Sequence, residues 1–395
     1  MQKILIVLII ICGACTTKTR QIALELYADV DPLECNREIS ISNLYIDTLI
    51  VNNLFSLSGD GFWKLKGDSL YHFDQVLAVV DVYDKTGKFH RRSLGIGRGP
   101  GEVMEEIGTV CAYQGGWLLT EVYNIYHFNS VFNDKQMKFL FHFGEDMEQK
   151  KQDLYKNPDP TKDVELYVPD YTTPQMLLDA NQNVLMKISC EYPDFMQQHY
   201  YQSSALVAHY DFEKGSITKM MGRYPPCYQL DEGAPAFSNH YFAPYKEDQY
   251  LLTFGLDSLI YICDDQFRPL ESFGWPGDMI NTDYATINLQ QEQVENYDLD
   301  EEWINRGYYT SVYYCAAQDV TFRIYKTGLD SEAKGESDNP SRMQIYQGTN
   351  LIGDVVVPHR FEIIDYQTPY FYAEGYYEMG EETDQIGVYT FKLEL

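Results

Sequence analysis

The sequence predicts an all-β fold, a six-bladed β-propeller with short helical or loop insertions. Most of the chain consists of short apolar or alternating runs separated by Gly, Asp and Asn, which is typical of strands and turns. Aromatic residues make up 15% of the sequence, with 34 tyrosines, and this composition suits strands more than helices. One hairpin-like unit also recurs along the chain, which indicates a repeat architecture.

The recurring unit is an aromatic or aliphatic pair, an acidic or polar turn residue, a few polar residues and a second strand. Asp at the first position of a turn accepts hydrogen bonds from the backbone beyond it, and Gly closes the corner. Each unit is therefore predicted to be a β-hairpin. Four clear copies lie at residues 82–89, 132–139, 209–215 and 262–267, and two weaker copies lie at 345–350 and 388–391.

A glycine corner follows each of the four clear hairpins, beginning at Gly97, Gly144, Gly222 and Gly274. The fullest corner is predicted to be the crossover between the first two blades, a structural loop or possible ligand contact made of Gly97, Arg98, Gly99, Pro100, Gly101 and Glu102. Arg98 has two interpretations. It either clamps an anion at the channel mouth or bridges carbonyls or a carboxylate between blades, with Glu102 anchoring the turn.

This corner does not match a nucleotide-binding loop. A dinucleotide fingerprint needs G-x-G-x-x-G at the start of a helix. Counted from Gly95, the third glycine position holds Pro100, and counted from Gly97 it holds Glu102. Proline removes a hydrogen-bond donor and glutamate repels a pyrophosphate, so the pattern favours a structural corner.

Six units of three to four strands give about 60 residues per unit, close to the length of a propeller blade. Because a closed ring removes its own sheet edges, ring closure is predicted to pair an early strand at 44–50 with the final segment at 387–392. The propeller is predicted to span residues 41–395. Polar insertions interrupt it at 150–163 and 331–341, and the best helix candidate lies within 280–303.

The N-terminus predicts export. Lys3 precedes an apolar run at 4–11 that is too short to span a bilayer, so residues 1–14 are predicted to be a signal peptide. Gly13 and Ala14 directly before Cys15 resemble a bacterial lipobox, which implies cleavage there and lipid attachment to Cys15. The alternative is an ordinary signal peptide cleaved after Ala14. Residues 15–40 would then form a tether and lead-in segment.

The corner at 97–102, following the hairpin at 82–89, resembles the TolB-like six-bladed β-propeller lipoproteins of Bacteroidetes. The lipobox at Cys15 fits the same group. The resemblance implies a propeller fold and a location in the cell envelope. Lipid attachment at Cys15 would anchor the protein to the outer membrane, and because no acidic run follows Cys15 the periplasmic side is favoured over the cell surface. It implies no reaction, because a fold does not fix a function.

Charge and motifs exclude several classes of protein. The net charge of −29 argues against nucleic acid and against anionic lipid surfaces. No cofactor and no metal are expected, since the eight histidines lack H-E-x-x-H or H-x-H spacing and the loop opening at Asp179 lacks the Gly and Glu of a calcium site. G-x-S-x-G is absent, which removes the hydrolase nucleophile elbow. The widely spaced cysteines do not support a disulfide framework.

Three functions remain open on this evidence. The first is a lipid-anchored propeller of the cell envelope that binds a protein partner, a small molecule or a glycan, without catalysis. The second is a lyase or hydrolase acting on glycans or peptides at the central channel, with catalytic residues unknown because 59 acidic residues make any single pair uninformative. The third is a structural module of an outer-membrane assembly. Tyrosine-rich stretches at 308–314 and 370–377 suit either strand packing or sugar stacking.

Overall fold

The described residues fold into six largely antiparallel sheets of four or five strands, arranged as the blades of a β-propeller. A computed structural model describes residues 24–139, 154–156, 158–290, 297–329, 338–378 and 385–395. In each blade the main strands follow one another in chain order from the central channel towards the rim, and in blades 4 to 6 a strand from the N-terminal region is added at the outer edge. The predicted fold class is confirmed.

The first three blades are continuous in sequence. The strands of blade 1 are Gly61–Lys66, Ser69–Asp74, Val79–Asp84 and Phe89–Leu94. Those of blade 2 are Val110–Tyr113, Gly116–Thr120, Asn124–Phe128 and Lys135–Phe139. Those of blade 3 are Met176–Leu178, Val184–Cys190, Val207–Asp211 and Ser216–Met221, with Tyr167–Pro169 also paired to Val184–Cys190.

Blades 4 to 6 each take one strand from the N-terminal region. Blade 4 contains His240–Pro244, Tyr250–Phe254, Ile260–Cys263, Pro269–Phe273 and, at its edge, Asp31–Pro32. Blade 5 contains Gly307–Cys315, Val320–Thr327, Ser341–Gln347, Asn350–Val357 and Arg37–Ile41. Blade 6 contains Glu362–Gln367, Tyr370–Glu378, Gln385–Phe391 and Ile46–Ile50.

Short elements decorate the loops. The α-helices with defined bounds are Gln198–Ser203 and Leu299–Asn305, and the 3₁₀ helices are Val164–Leu166, Pro226–Tyr228 and Pro235–Phe237. A two-stranded ladder joins Glu232–Gly233 to Ile287–Asn288. Among the described residues, the helix expected within 280–303 is Leu299–Asn305, which begins near the end of that range and runs two residues past it. Asp298 accepts a hydrogen bond from the Glu301 N–H and caps its first turn, as N-cap aspartates do.

Ring closure follows the sequence prediction. Ile46–Ile50 is the outermost strand of blade 6 and pairs antiparallel with Gln385–Phe391, in the register Gly387 to Ile50 and Phe391 to Ile46. The segment predicted as tether and lead-in also contributes to the ring. Asp31–Pro32 and Arg37–Ile41 run parallel to the outer strands of blades 4 and 5, so the second half of 15–40 is part of the fold.

Most of the predicted hairpins are present. The copies at 82–89, 209–215, 262–267 and 345–350 join the last two main strands of blades 1, 3, 4 and 5. Two predictions were wrong. The turn of blade 2 spans 129–134, so the segment at 132–139 contains only its second strand. Val388–Phe391 lies inside one strand, because ring closure gives it the N-terminal strand as a partner.

Aromatic and aliphatic side chains fill the wedges between neighbouring blades. Phe73 of blade 1 and Trp117 of blade 2 have ring centroids 5.4 Å apart, and Phe322 of blade 5 lies 5.0 Å from Phe371 of blade 6. Each face of a blade is therefore covered by its neighbour, and the polar ends of the innermost strands are left facing the axis.

Candidate functional site

The innermost strands of all six blades meet around a central cavity of about 870 Å³. Each blade contributes side chains to its wall. Examples from blades 1 to 6 in turn are Lys64, Thr109, Met176, Tyr241, Ser311 and Glu362. A cavity of this volume matches the size range of small-molecule sites.

Two glutamates of blade 6 face each other in the wall of this cavity. Glu362 and Glu374 are direct cross-strand partners, and such residues project from the same face of a sheet. The Trp63 backbone N–H of blade 1 donates a hydrogen bond to Glu374 Oε2, with 2.6 Å between the atoms. Glu362 is exposed to the interior of the cavity, whereas Glu374 is half-buried.

The environment of this pair favours protonation. Burial, followed by the charge of Glu362, raises the pKa of Glu374 to about 8, against the opposing effect of Lys64. Enclosure by the cavity walls desolvates Glu362 and raises its pKa, opposed by Lys64 and Lys187. Two like charges in a poorly hydrated site cannot both ionise readily, so the pair holds a proton near neutral pH.

A buried cation stands behind the blade 3 wall. Lys187 is 1% exposed, donates a hydrogen bond to Thr173 Oγ1 and lies 3.6 Å from Asp170. Burial opposes ionisation of Asp170, yet the charge of Lys187 and the Thr173 N–H hold the pKa of Asp170 well below its usual range. The Lys187 ammonium also lies 4.9 Å from the ring centroid of Tyr241, a residue of the cavity wall.

His72 lies on the blade 1 side of the cavity. It pairs across the sheet with Trp63, and the two ring centroids are 4.8 Å apart. Burial lowers the pKa of His72 to about 4, so the imidazole is neutral at physiological pH. The ring packs closely against Gly61, where a Cβ would come within 2.8 Å of His72 Nε2.

A second polar group lies where blade 5 leads into blade 6. Lys326 Nζ and His359 Nδ1 are 2.9 Å apart, and both residues line the cavity with Arg360. Burial, followed by the charges of Lys326 and Arg360, lowers the pKa of His359 to about 4. This His359 therefore accepts a hydrogen bond from the lysine as a neutral ring.

The predicted corner lies away from the cavity wall. Residues 97–102 connect blade 1 to blade 2, as predicted, and the Gly99 N–H donates to Glu102 Oε2 over 2.6 Å. A Cβ on Gly97 would come within 2.1 Å of that same oxygen. Arg98 is exposed, and Pro100 and Gly101 complete the loop. Glu102 anchors the turn, and none of the six residues is among those that line the cavity.

Other sequence candidates divide between structure and the cavity. Asp179 accepts hydrogen bonds from the N–H groups of Asn181 and Asn183 and caps a turn between strands. The tyrosine-rich stretches supply Tyr308 and Tyr376 to the cavity wall. Cys15 and the corner at Gly144 lie outside the described residues. The six cysteines of the described residues are free thiols, at positions 35, 111, 190, 227, 263 and 315.

Two kinds of feature are absent from the described residues. In this part of the chain, no group of three or more His, Cys, Asp or Glu side chains is placed to hold a metal ion. No described helix has the length and apolar character needed to cross a bilayer.

Sequence reasoning missed Glu362 and Glu374. They stand on either side of the turn at Thr368 and Pro369. Uninterrupted pairing across that turn would have placed Ile363 opposite Glu374, and only the register shift between Ile363 and Asp365 brings Glu362 there instead. His72 carries no signal in its local sequence, because the position of its ring depends on close packing against Gly61 in the neighbouring strand.

Comparison with solved structures shows the same fold. No family model matches the chain, and no curated protein matches it. A member of the DUF4221 family from Bacteroides vulgatus ATCC 8482 is similar with a TM-score of 0.63 and 12% identity, covering 90% of this chain and 98% of that one. A protein of Bacteroides fragilis NCTC 9343, described as exported, is similar with a TM-score of 0.50 and 12% identity, covering 90% and 98%.

Proposed function

We propose that this protein is a lipid-anchored propeller of the cell envelope that binds a small polar ligand in its central cavity, without catalysis. The observation that carries the proposal is the convergence of six blades on one cavity whose wall holds the Glu362–Glu374 pair. Ligand pockets combine apolar and aromatic walls with a few convergent polar groups, and this cavity has that composition.

The location is argued from the N-terminus. The lipobox-like segment ending at Cys15 supports lipid attachment to the outer membrane, facing the periplasm, and a similar structure described as an exported protein supports export. Metabolic labelling with a palmitate analogue tests it directly. Label is expected on the wild type and not on C15S, and equal labelling of both would contradict lipid attachment.

Ligand binding is tested by titration calorimetry of the mature protein against a panel of neutral sugars, amines, amino acids and short peptides. A wall variant such as T173V should change the affinity for any ligand that binds the cavity, whereas E213Q, at an exposed hairpin tip, should not. Saturable binding that T173V and a second wall variant, S311A, leave unchanged would place the ligand elsewhere.

An enzyme acting on glycans or peptides is the second candidate. The Glu362–Glu374 pair favours it, because a carboxyl group with a raised pKa beside another carboxyl group suits general acid–base chemistry. The same panel, followed over time by mass spectrometry, separates the two functions. Turnover that is lost in both E362Q and E374Q would establish the enzyme and overturn the non-catalytic proposal.

A further inference from the structure

The glutamate pair lacks partners of its own. Within the described part of the chain, neither Glu362 nor Glu374 takes part in an ion pair, and Trp63 N–H is the group that donates to the Glu374 carboxyl. The nearby cations form no ion pair with either glutamate: the Lys187 ammonium contacts Thr173 and Asp170, and the Lys64 ammonium lies 5.6 Å from the Phe62 ring centroid. The pair thus presents unfilled acceptor positions to the cavity.

His72 is an independent sign of a ligand. Its side chain is 7% exposed, it lines the cavity, and its Nδ1 has no hydrogen-bond partner among the described residues. A buried polar atom without a partner costs about 1–3 kcal/mol, so such atoms are normally satisfied by protein, water or ligand. The other ring nitrogen, Nε2, packs against Gly61, where a Cβ would come within 2.8 Å of it.

The three groups share one chemical character. Ionised carboxylates only accept hydrogen bonds, and a neutral imidazole accepts one at whichever nitrogen lacks the proton. A primary ammonium group carries three N–H donors and a positive charge, which complements three acceptors and the acidic pair. The aromatic wall residues, Tyr241 and Tyr308 among them, would contact the organic part of such a ligand.

We propose that Glu362, Glu374 and His72 bind the primary ammonium group of a small organic cation in the central cavity. This inference rests on the proposed function and names the class of ligand. Binding involves no covalent step. Ammonium N–H groups donate to the carboxylate oxygens and to the imidazole, and the proton held by the glutamate pair leaves to solvent as the cation arrives.

The release of that proton is the distinctive consequence. Glu362 acts on Glu374, and Lys64 of blade 1 and Lys187 of blade 3 are the cations whose fields reach the pair. Asp74, Asp81 and Arg92 act on His72. None of these cations forms an ion pair with the two glutamates, so the proton they hold neutralises part of their charge. An incoming cation can take the place of that proton, and ligand binding is therefore linked to deprotonation of the pair.

Calorimetry of the mature protein at pH 7, in phosphate and in MOPS buffer, which contains no primary amine, measures both affinity and protons released. The amine probes are Nα-acetyl-lysine methylamide, glucosamine and putrescine, which distinguish a peptide, a sugar and a polyamine source. Their neutral counterparts are Nα-acetyl-norleucine methylamide, glucose and 1,4-butanediol. At least one amine should bind about tenfold more tightly than its counterpart, since hydrogen bonds to charged groups contribute about 1.5–3 kcal/mol.

Variants locate the amine. E362Q, E374Q and H72Q should each weaken amine binding about tenfold, and E374Q should abolish the buffer-dependent heat. E213Q, the same chemical change at an exposed site, should leave both unchanged. Thermal melting shows whether each variant is folded. If E374Q does not fold, E362Q still tests the site, because Glu362 is exposed to the cavity and its substitution disturbs the packing less.

The outcomes separate the two proposals. Neutral ligands that bind the cavity as tightly as amines, or amine binding that survives E362Q and H72Q, would overturn the ammonium site while leaving a ligand-binding cavity. The absence of saturable binding by any amine or neutral probe would overturn both.

Discussion

The Trp63 backbone N–H of blade 1 donates a hydrogen bond to the Glu374 carboxylate of blade 6, and the two atoms are 2.6 Å apart. This bond joins two blades that are remote in sequence and holds one member of the glutamate pair in the cavity wall. The same carboxyl group has a raised pKa, because burial and Glu362 both disfavour its charge.

Stability should therefore depend on pH through Glu374. Its folded-state pKa of about 8 lies above the ~4.3 of a glutamate in an unfolded chain. Between these values the folded protein holds a proton that the unfolded chain has released, so stability falls as pH rises. We expect E374Q to flatten the decline in melting temperature from pH 6 to pH 9, and E213Q to follow the wild type. Parallel curves for E374Q and wild type would contradict this assignment.

Ring closure can be tested at adjacent positions of one strand. Val51 N–H donates to the Ile386 carbonyl over 3.0 Å, so by the alternation of an antiparallel ladder the Leu49 N–H also faces Gln385–Phe391. The Thr48 N–H instead bonds to Asp47 Oδ1. Leu49→Pro should destabilise the protein by about 2 kcal/mol more than Leu49→Ala, since it removes a ladder bond.

Thr48→Pro is the matched control for that experiment. Proline is tolerated on an edge strand where the N–H points away from the ladder, so its cost should be much smaller. Urea unfolding of the three variants gives the comparison. Equal costs for proline at 48 and 49 would show that the closing strand does not pair in this register.

The corner between blades 1 and 2 predicts that substitutions at Gly97 and Glu102 have non-additive effects on stability. A Cβ at Gly97 would meet Glu102 Oε2 at 2.1 Å, so Gly97→Ala should displace the carboxylate from the Gly99 N–H and cost about 1–3 kcal/mol. In an E102A background the obstacle is gone, and the cost of Gly97→Ala should fall by at least about 1 kcal/mol. If the changes in the free energy of unfolding caused by the two substitutions were additive, the contact between residue 97 and Glu102 would be refuted.

Lys187 and Asp170 should behave as a buried ion pair. Lys187→Met leaves the Asp170 charge without its cation, and breaking such a pair by removing one partner costs about 3–5 kcal/mol. The double variant K187M/D170N should recover part of that loss, because both charges are then absent. Chemical denaturation measures this, and a single variant as stable as wild type would show that the pair contributes nothing.

Local sequence patterns predicted the elements whose partners are adjacent in the chain. Turn aspartates such as Asp84 and Asp264 place the hairpins because the turn chemistry is local, with each carboxylate accepting backbone N–H groups two and four residues ahead. Ring closure was also predictable, since Ile46–Ile50 was an apolar strand left without a sequential partner.

The candidate site was not predictable in the same way. Glu362 and Glu374 are two acidic residues among 59, and only the register of blade 6 puts them face to face. The parallel strand Asp31–Pro32 is too short to produce a hydrophobic period, and its place is set by the edge of blade 4. The side chains of the site come together at the axis only when all six blades close into a ring. No single stretch of sequence contains that information.

The parallel strands of the lead-in also have a mechanical consequence. A load applied at the amino end must first detach Asp31–Pro32 from blade 4 and then Arg37–Ile41 from blade 5 before it reaches Ile46–Ile50, the strand that locks the ring. The N-terminal region is therefore attached to the ring by three strands in succession. A load on the amino end separates these strands one after another before it reaches the residues around the cavity.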